Sequence, residues 1–259
     1  MRTIGEKCVI ARYVGGKPII ARYVGANLIF AWESPLDYDM TGLFTHFDMI
    51  DNEGTGVHNP NATILKDLAG GRDGVLQGGA TYVGGNAIQF RGNTGTGADR
   101  VAFQGYIPPG MTDYTISFVF ELNAKSGSYP RIMSEPNYPC FYFHSAASPS
   151  YPYSHYAIGK DTFFTPNTVP SLNTIIQITM RYTHAAKLLE CFENGIKTGE
   201  ITGVPAPAAT TTAYFGNRAA GDRPLNGKIF KYMFHSAWFT QDQIMNNVMV
   251  DAARFGIML

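Results

Sequence analysis

Tyrosine is the residue type whose spacing could do chemistry here. From 129 to 164 the chain reads YPRIMSEPNYPCFYFHSAASPSYPYSHYAIGKDTFF. Tyr129, Tyr138, Tyr142, Tyr151, Tyr153 and Tyr156 recur among prolines and serines, beside Phe141, Phe143, His144 and His155. Tyrosine with serine and asparagine makes an adaptable recognition surface, because a rigid aromatic face supplies contact area at small entropic cost. Sugar rings stack their C–H faces on such side chains. Pro130, Pro136, Pro139, Pro149 and Pro152 restrict the backbone, so these loops lose less freedom on binding. Between 129 and 156 only Arg131 and Glu135 are charged, which suits a neutral sugar better than a polyanion. The ligand-binding candidates are Tyr129, Tyr138, Tyr142, His144, Tyr151, Tyr153 and Tyr156. The same rings could instead fill a core or close a subunit interface, where tyrosine is also enriched. Composition leaves both readings open.

Other chemistries lack their parts. G-x-S-x-G, H-E-x-x-H and the P-loop pattern are absent. His46, His58, His144, His155, His184 and His235 show no i, i+4 pairing of a zinc site. Cys8, Cys140 and Cys191 contain no C-x-x-C, and any disulfide scheme leaves one over. They read as three free thiols that pack as small apolar residues.

The elements that must position these residues are strands. Charged residues are 15% of the chain, below the ~25% of an average domain. Glycine is 28 of 259 residues, and aromatic residues are 13%. That composition predicts many short strands joined by tight turns. In YTISFVFEL, Tyr114, Ile116, Phe118, Phe120 and Leu122 share one face, with Thr115, Ser117, Val119 and Glu121 on the other. In TIIQITMRY, Ile176, Ile178, Met180 and Tyr182 alternate with Gln177, Thr179 and Arg181. Such alternation predicts an antiparallel sandwich with one wet face. Asn194-Gly195, between LLECFE and IKTGEI, predicts a type I′ hairpin, and 227–239 predicts a further long strand. Thr240 with Gln243 forms a capping box, and Ile244, Val248, Met249 and Ala252 make an apolar stripe before Gly256. These signals predict a helix over 241–254, lying against the sheet edge.

The N-terminus is organised differently. IARYVGGK at 10–17 recurs as IARYVGAN at 20–27, and LIFAW follows. Each unit is a short apolar run closed by a glycine turn, as in a β-meander, and a ribbon this small must pack on something else. The expected organisation is a ribbon over 1–32, a linker over 33–41 and one domain over 42–259. Twenty basic residues balance twenty acidic ones, so no global field holds a nucleic acid. No run of ~18 apolar residues predicts a membrane span. MRTIGEKCVI shows no apolar signal region, so synthesis in the cytoplasm without an export signal is expected.

Several segments, in order, carry a resemblance. They are GLFTHFD (42–48), DLAGGRDGVL (67–76), AIQFRG (87–92), YTISFVFEL (114–122), ITMRY (178–182), FENG (192–195) and the stretch from 216 to 244 that contains NGKIFKYMF. Together they resemble the laminin-G-like branch of the concanavalin A-like lectin/glucanase superfamily. That resemblance implies an all-β, antiparallel jelly-roll sandwich over most of the chain. The repeated Y-V-G turns resemble the short module that precedes such domains in tailed-phage virion proteins. Glucanases of the superfamily carry E-x-D-x-E, which sets carboxylates on one strand face, and retaining enzymes hold two of them ~5–5.5 Å apart. No such spacing occurs here. Asp37 with Asp39 falls in a proline-bearing stretch, and Glu190 with Glu193 has the wrong parity for one face. The expectation is a protein that is not an enzyme. Laminin-G-like domains often hold a calcium ion at a loop end, and Asp48, Asp51 and Asn52, with Glu53, offer hard oxygen ligands. Asp and Asn clusters are also common turn formers.

The expected role is a non-enzymatic phage virion protein, in a head or tail fibre or decoration. The ribbon would join other virion proteins and copies of the chain, and the lectin-like domain would contact host glycans. The alternatives are a secreted or cell-surface glycan-binding protein and a glycoside hydrolase of the same fold.

Overall fold

The computed structural model describes residues 37–104, 111–124, 130–134, 171–206 and 212–259, Phe141, and the backbone of strands lying between 2 and 31 and between 140 and 163. Period-two alternation builds the core. Tyr114, Ile116, Phe118, Phe120 and Leu122 of Asp113–Ala124 point inward with Ile176, Ile178, Met180 and Tyr182 of Ile175–Thr183. Those two strands lie at the middle of an eight-stranded antiparallel sheet. Its order is Thr81–Val83, Ala87–Arg91, Asn226–His235, Asp113–Ala124, Ile175–Thr183, Leu188–Glu193 and Ile196–Ile201, with Leu43–Asp48 also paired to Asn226–His235. The second eight-stranded sheet runs Lys160–Phe163, Tyr153–Ala157, Cys140–Phe143, Arg131–Ser134, Thr212–Phe215, Arg100–Gln104, Gly74–Gln77 and Ile64–Leu65. Between them Phe47, Phe103, Phe118, Phe215 and Tyr232 pack ring on ring, with centroids 4.6–6.2 Å apart. The result is an all-β antiparallel sandwich.

The expected turns and caps form. Asn194 and Gly195 have φ of 48° and 80°, as a type I′ turn requires. The helix runs Gln241–Phe255, with the Thr240/Gln243 capping box at its start and Gly256 at φ 77° closing it. Its position differs from expectation. It lies across the outer face of the first sheet, where Ile244 and Val248 meet Phe192 and Phe239, and Phe255 meets Val119 and Phe230. Thr115, Ser117, Gln177, Thr179 and Arg181 are therefore buried rather than wet. Parity tells which residues share a face; it does not tell what covers that face.

The covered face is polar, and its partners are polar in turn. The Lys231 ammonium and the Asp251 carboxylate, both fully buried, meet at 2.6 Å. From Asp37 onward the segment read as a linker straps over this pair. Tyr38 Oη donates to Asp251 Oδ1 (2.8 Å), and its ring lies 4.4 Å from Lys231 Nζ. The Asp39 amide donates to Asn247 Oδ1 (2.7 Å), Gln243 Nε2 to Asp39 Oδ2 (2.9 Å), and Asn246 Nδ2 to the Asp37 carbonyl (2.8 Å). Burial lowers the Lys231 pKa and raises that of Asp251, each opposed by the other's charge. Burial also pushes His46 down to about 3 and His235 to about 4, with the Lys231 charge adding to both. His235 Nδ1 donates to the Thr41 carbonyl (3.0 Å), and its Nε2 has no hydrogen-bond partner, as suits a neutral ring.

At the N-terminus, three two-stranded antiparallel sheets form separately. Their closing pairs are Ile4↔Lys7, Val14↔Lys17 and Val24↔Asn27. The period of ten thus extends one unit before the repeat visible in the sequence, and the units are discrete hairpins rather than one meander. Among the described residues none of these strands pairs with the sandwich.

Two outcomes are expected. Removing residues 1–36 keeps the strap and leaves the melting temperature close to that of the full chain. Removing 1–41 uncovers the buried pair and lowers it by several degrees; equal melting of the two truncations would show that the strap adds nothing. The second outcome concerns pH. Both imidazoles stay neutral when folded but take up protons below ~6.5 when unfolded, so their contribution is lost as pH falls from ~6.5 toward 4. Asp48 and Asp251, whose pKa values are raised, act with the opposite sign near the ordinary carboxyl range. The histidine effect is therefore read by difference. His235→Gln should flatten the loss of unfolding free energy between pH 6.5 and 4 by on the order of 3 kcal/mol. Parallel pH profiles for the two proteins would refute this.

Candidate functional site

Parts of the tyrosine-rich segment enter the second sheet as strands, while Pro136, Pro139, Pro149 and Pro152 lie outside the described residues. Cys140–Phe143, Tyr153–Ala157 and Lys160–Phe163 extend that sheet from Arg131–Ser134 by successive antiparallel pairing. Phe141 is buried and stacks on Phe118 at 5.6 Å, so its parity marks the core-facing set. Tyr142, one position on, belongs to the outer set. It pairs with Ser154, and Tyr156, two positions from Ser154, shares that outer set. Tyr153 pairs with Phe143 and shares the parity of Phe141. Register thus joins Tyr142 with Tyr156 and separates both from Tyr153. Tyr129, Tyr138, His144 and Tyr151 lie outside the described residues.

The same outer face continues over Thr212–Phe215 and Arg100–Gln104. Tyr214 stands between Ala102 and Ser134 in register, half-buried, while its neighbours Ala213 and Phe215 face the core. Arg100 sets its guanidinium 5.7 Å from the Tyr214 ring centroid. Its Nε donates to Gln77 Oε1 (2.5 Å) and an Nη to the Ala219 carbonyl (2.6 Å). Arg131 is paired with Tyr142. Val75, opposite Ala102, is 42% exposed. Three strand spacings, ~15 Å, separate the rows of Tyr214 and Tyr156. Among the described side chains of this face, Tyr214 supplies an aromatic ring, with the Arg100 guanidinium beside it and the exposed Val75 across the neighbouring strand. The eight strands of this sheet carry one carboxylate, Asp161, opposite Tyr156. Sequence reasoning missed Tyr214 and Arg100. The only signal for Tyr214 was the two-residue period of TAYF behind a Pro-, Ala- and Thr-rich stretch.

Asp48, Asp51 and Asn52 come together, but around a guanidinium. Arg254 donates to Asp48 Oδ2 (2.6 Å) and Asp51 Oδ2 (3.3 Å). Asp48 Oδ1 accepts from the Ile50 amide (2.9 Å), and Asp51 Oδ1 from the Gly56 amide (3.2 Å). Asn52 exchanges both amide atoms with the Asn59 backbone at 2.7 and 2.8 Å, and Glu53 accepts from Asn59 Nδ2 (2.7 Å). Burial raises the Asp48 pKa despite Arg254. The donor set does not fit calcium as arranged, since Arg254 already supplies the cation and the remaining oxygens order the turn. Among the described residues no group of three His, Cys, Asp or Glu side chains is placed to hold a metal. Of the cysteines, Cys191 is buried, and burial pushes its thiol up to about 12, which makes it inert. No described helix is long and apolar enough to cross a membrane.

Comparison with known proteins agrees with this architecture. A family model described as the concanavalin A-like lectin/glucanases superfamily matches residues 94–245. No curated protein matches by sequence. Among solved structures, domain 4 of AbnA, an extracellular GH43 arabinanase from Geobacillus stearothermophilus in complex with arabinotriose, is similar at TM-score 0.60 and 13% identity, covering 80% of this chain and 98% of that one. The botulinum neurotoxin serotype D binding domain is similar at 0.59 and 11%, covering 80% and 51%. Trypanosoma rangeli sialidase in complex with sialic acid is similar at 0.59 and 10%, covering 91% and 36%. The chain thus spans about a third of the sialidase and about half of the toxin binding domain. At these identities the likeness is one of fold.

Proposed function

This chain belongs to the concanavalin A-like lectin/glucanases superfamily, and on that premise we propose that it is a non-enzymatic structural protein of a tailed-phage virion, in a head or tail fibre or decoration, whose sandwich contacts host-surface glycans. The observation that carries this reading is the pairing of two unlike parts. An array of three hairpins with a ten-residue period precedes a lectin-type sandwich whose second sheet is rich in tyrosine and carries a single strand carboxylate. Isolated two-stranded hairpins are marginal in water, so the array needs partners. Other virion proteins and further copies of the chain supply the strands or surfaces it packs on. The protein acts on particles, after synthesis in the host cytoplasm. Hydrolysis needs two carboxylates flanking the scissile bond, and the strands of the binding face hold one. A second reading, a secreted or cell-surface glycan-binding module, is favoured by the near-complete overlap with a single domain of an arabinanase.

The experiment pairs particles with glycans. Deleting residues 1–32 should leave a soluble, folded sandwich that is missing from purified particles. Tyr142→Ala with Tyr156→Ala should abolish attachment to host cells or arrayed glycans without changing oligomer size, whereas Tyr153→Ala should lower stability. Retention of the truncated protein in particles would exclude the anchor role. Loss of oligomer size before loss of attachment would make the tyrosine face an interface. No glycan should yield reducing sugar on incubation with the protein; release abolished by one Asp or Glu change would make it an enzyme.

A further inference from the structure

The segment that enters the sandwich is held by polar contacts that water can replace. Of residues 37–42, Tyr38 and Asp39 are half-buried and the other four are exposed, Met40 among them at 53%. Asp37 and Asp39 bond to Asn246, Asn247 and Gln243 of the helix, and Tyr38 Oη reaches Asp251. The segment ends at Gly42, whose φ of 62° suits glycine and whose carbonyl accepts from the Ser236 amide (2.7 Å) and Ser236 Oγ (3.1 Å). Two imidazoles lie beneath. The Tyr38 ring stands edge-on to His46, centroids 5.6 Å apart, and the Thr41 carbonyl accepts from His235 Nδ1 (3.0 Å). His46 and His235 are 6% and 1% exposed, and the Nε2 atom of each has no hydrogen-bond partner. The charged groups that His46 faces are Lys231 and His235 from the strand Asn226–His235 and Arg254 from the helix; those that His235 faces are Lys231 and, from the strap, Asp39.

We propose that residues 37–41 are an acid-released latch, which at neutral pH holds the entering chain to the helix and in mild acid lifts away about Gly42 while the sandwich stays folded. The latch sits at the joint between hairpins and sandwich and does not depend on glycan binding. A segment that buries little apolar surface opens at a lower free energy than core strands. The helix keeps Ile244, Val248 and Phe255 in apolar contact without the strap, so the body holds its shape. With the strap in place both rings stay neutral, since burial holds His46 down to about 3 and His235 to about 4. Uncovered, each returns toward ~6.5. The open form therefore takes up protons that the closed form refuses, and each uncovered ring raises the open population about tenfold between pH 7.5 and 5.5. Lys231, lowered by burial, pulls in the same direction, whereas Asp48 and Asp251, raised by burial, oppose it. Release adds five residues, ~17 Å of extended chain, to the connection between the last hairpin strand, which ends at Ala31, and the sandwich.

Hydrogen exchange of the full chain tests this. Amide protection, corrected for the intrinsic rate at each pH, is followed near pH ~7.5 and ~5.5 in two peptides, one over 38–43 and one over 114–122. The strap peptide should be the less protected at both values, and its protection should fall about tenfold or more in acid while the strand peptide stays protected. In His235→Gln that fall should be about tenfold smaller, and with His46→Gln added it should be smaller again. Tyr38→Phe, which removes the bond to Asp251, should lower strap protection about tenfold at both values and keep the same fall. If the double variant does not fold, His235→Gln and Tyr38→Phe still decide. A strap that exchanges at the rate of the strand opens only with the whole domain, which overturns the latch. Strap protection that acid leaves unchanged, or that falls equally in His235→Gln, overturns it as well.

Discussion

Lys231 and Asp251 are fully buried, and neither charge can stand there without the other. Three parts of the chain meet at this contact. Lys231 comes from the strand Asn226–His235, Asp251 from the C-terminal helix, and Tyr38 from the segment that enters the domain. Two buried ions separated by even a small shift would each keep the penalty of desolvation, so the helix has one position on the sheet that satisfies them. The apolar contacts of Ile244, Val248 and Phe255 favour burial of the helix in general. The ion pair, the Asn247 bond to Asp39 and the Gln241 bond to the Gly195 carbonyl (2.7 Å) select the placement.

Much of this was legible beforehand. The strands over 114–122 and 175–183, the Asn194-Gly195 turn and the two helix caps depend on interactions between residues close in sequence, and local pattern reports those. What the pattern missed depends on partners from far away. Thr179 and Gln177 alternate like solvent-facing residues, yet the helix sixty or so positions later covers them. Asp48 and Asp51 look like cation ligands because Arg254, about two hundred positions on, is invisible from the loop itself.

The second sheet shows the same division. Tyrosine richness was visible as composition, while the grouping of those tyrosines was not. Pairing of Cys140–Phe143 with Tyr153–Ala157 decides that Tyr142 and Tyr156 belong together, because a shift of one residue would send each to the other side. Tyr214 and Arg100 join them only through strand order, which places Thr212–Phe215 between Arg100–Gln104 and Arg131–Ser134.

The hairpins at the N-terminus close at Ile4↔Lys7, Val14↔Lys17 and Val24↔Asn27, and among the described residues each strand pairs only with the other strand of its own hairpin. A unit that pairs only within itself can be gained or lost whole. Duplication of one ten-residue stretch would lengthen the array by one hairpin and leave every other pairing unchanged, whereas an insertion of five would put a strand where a turn belongs. The length of the array is therefore adjustable in fixed steps, and a lineage could tune it by copying units without re-evolving the domain that follows.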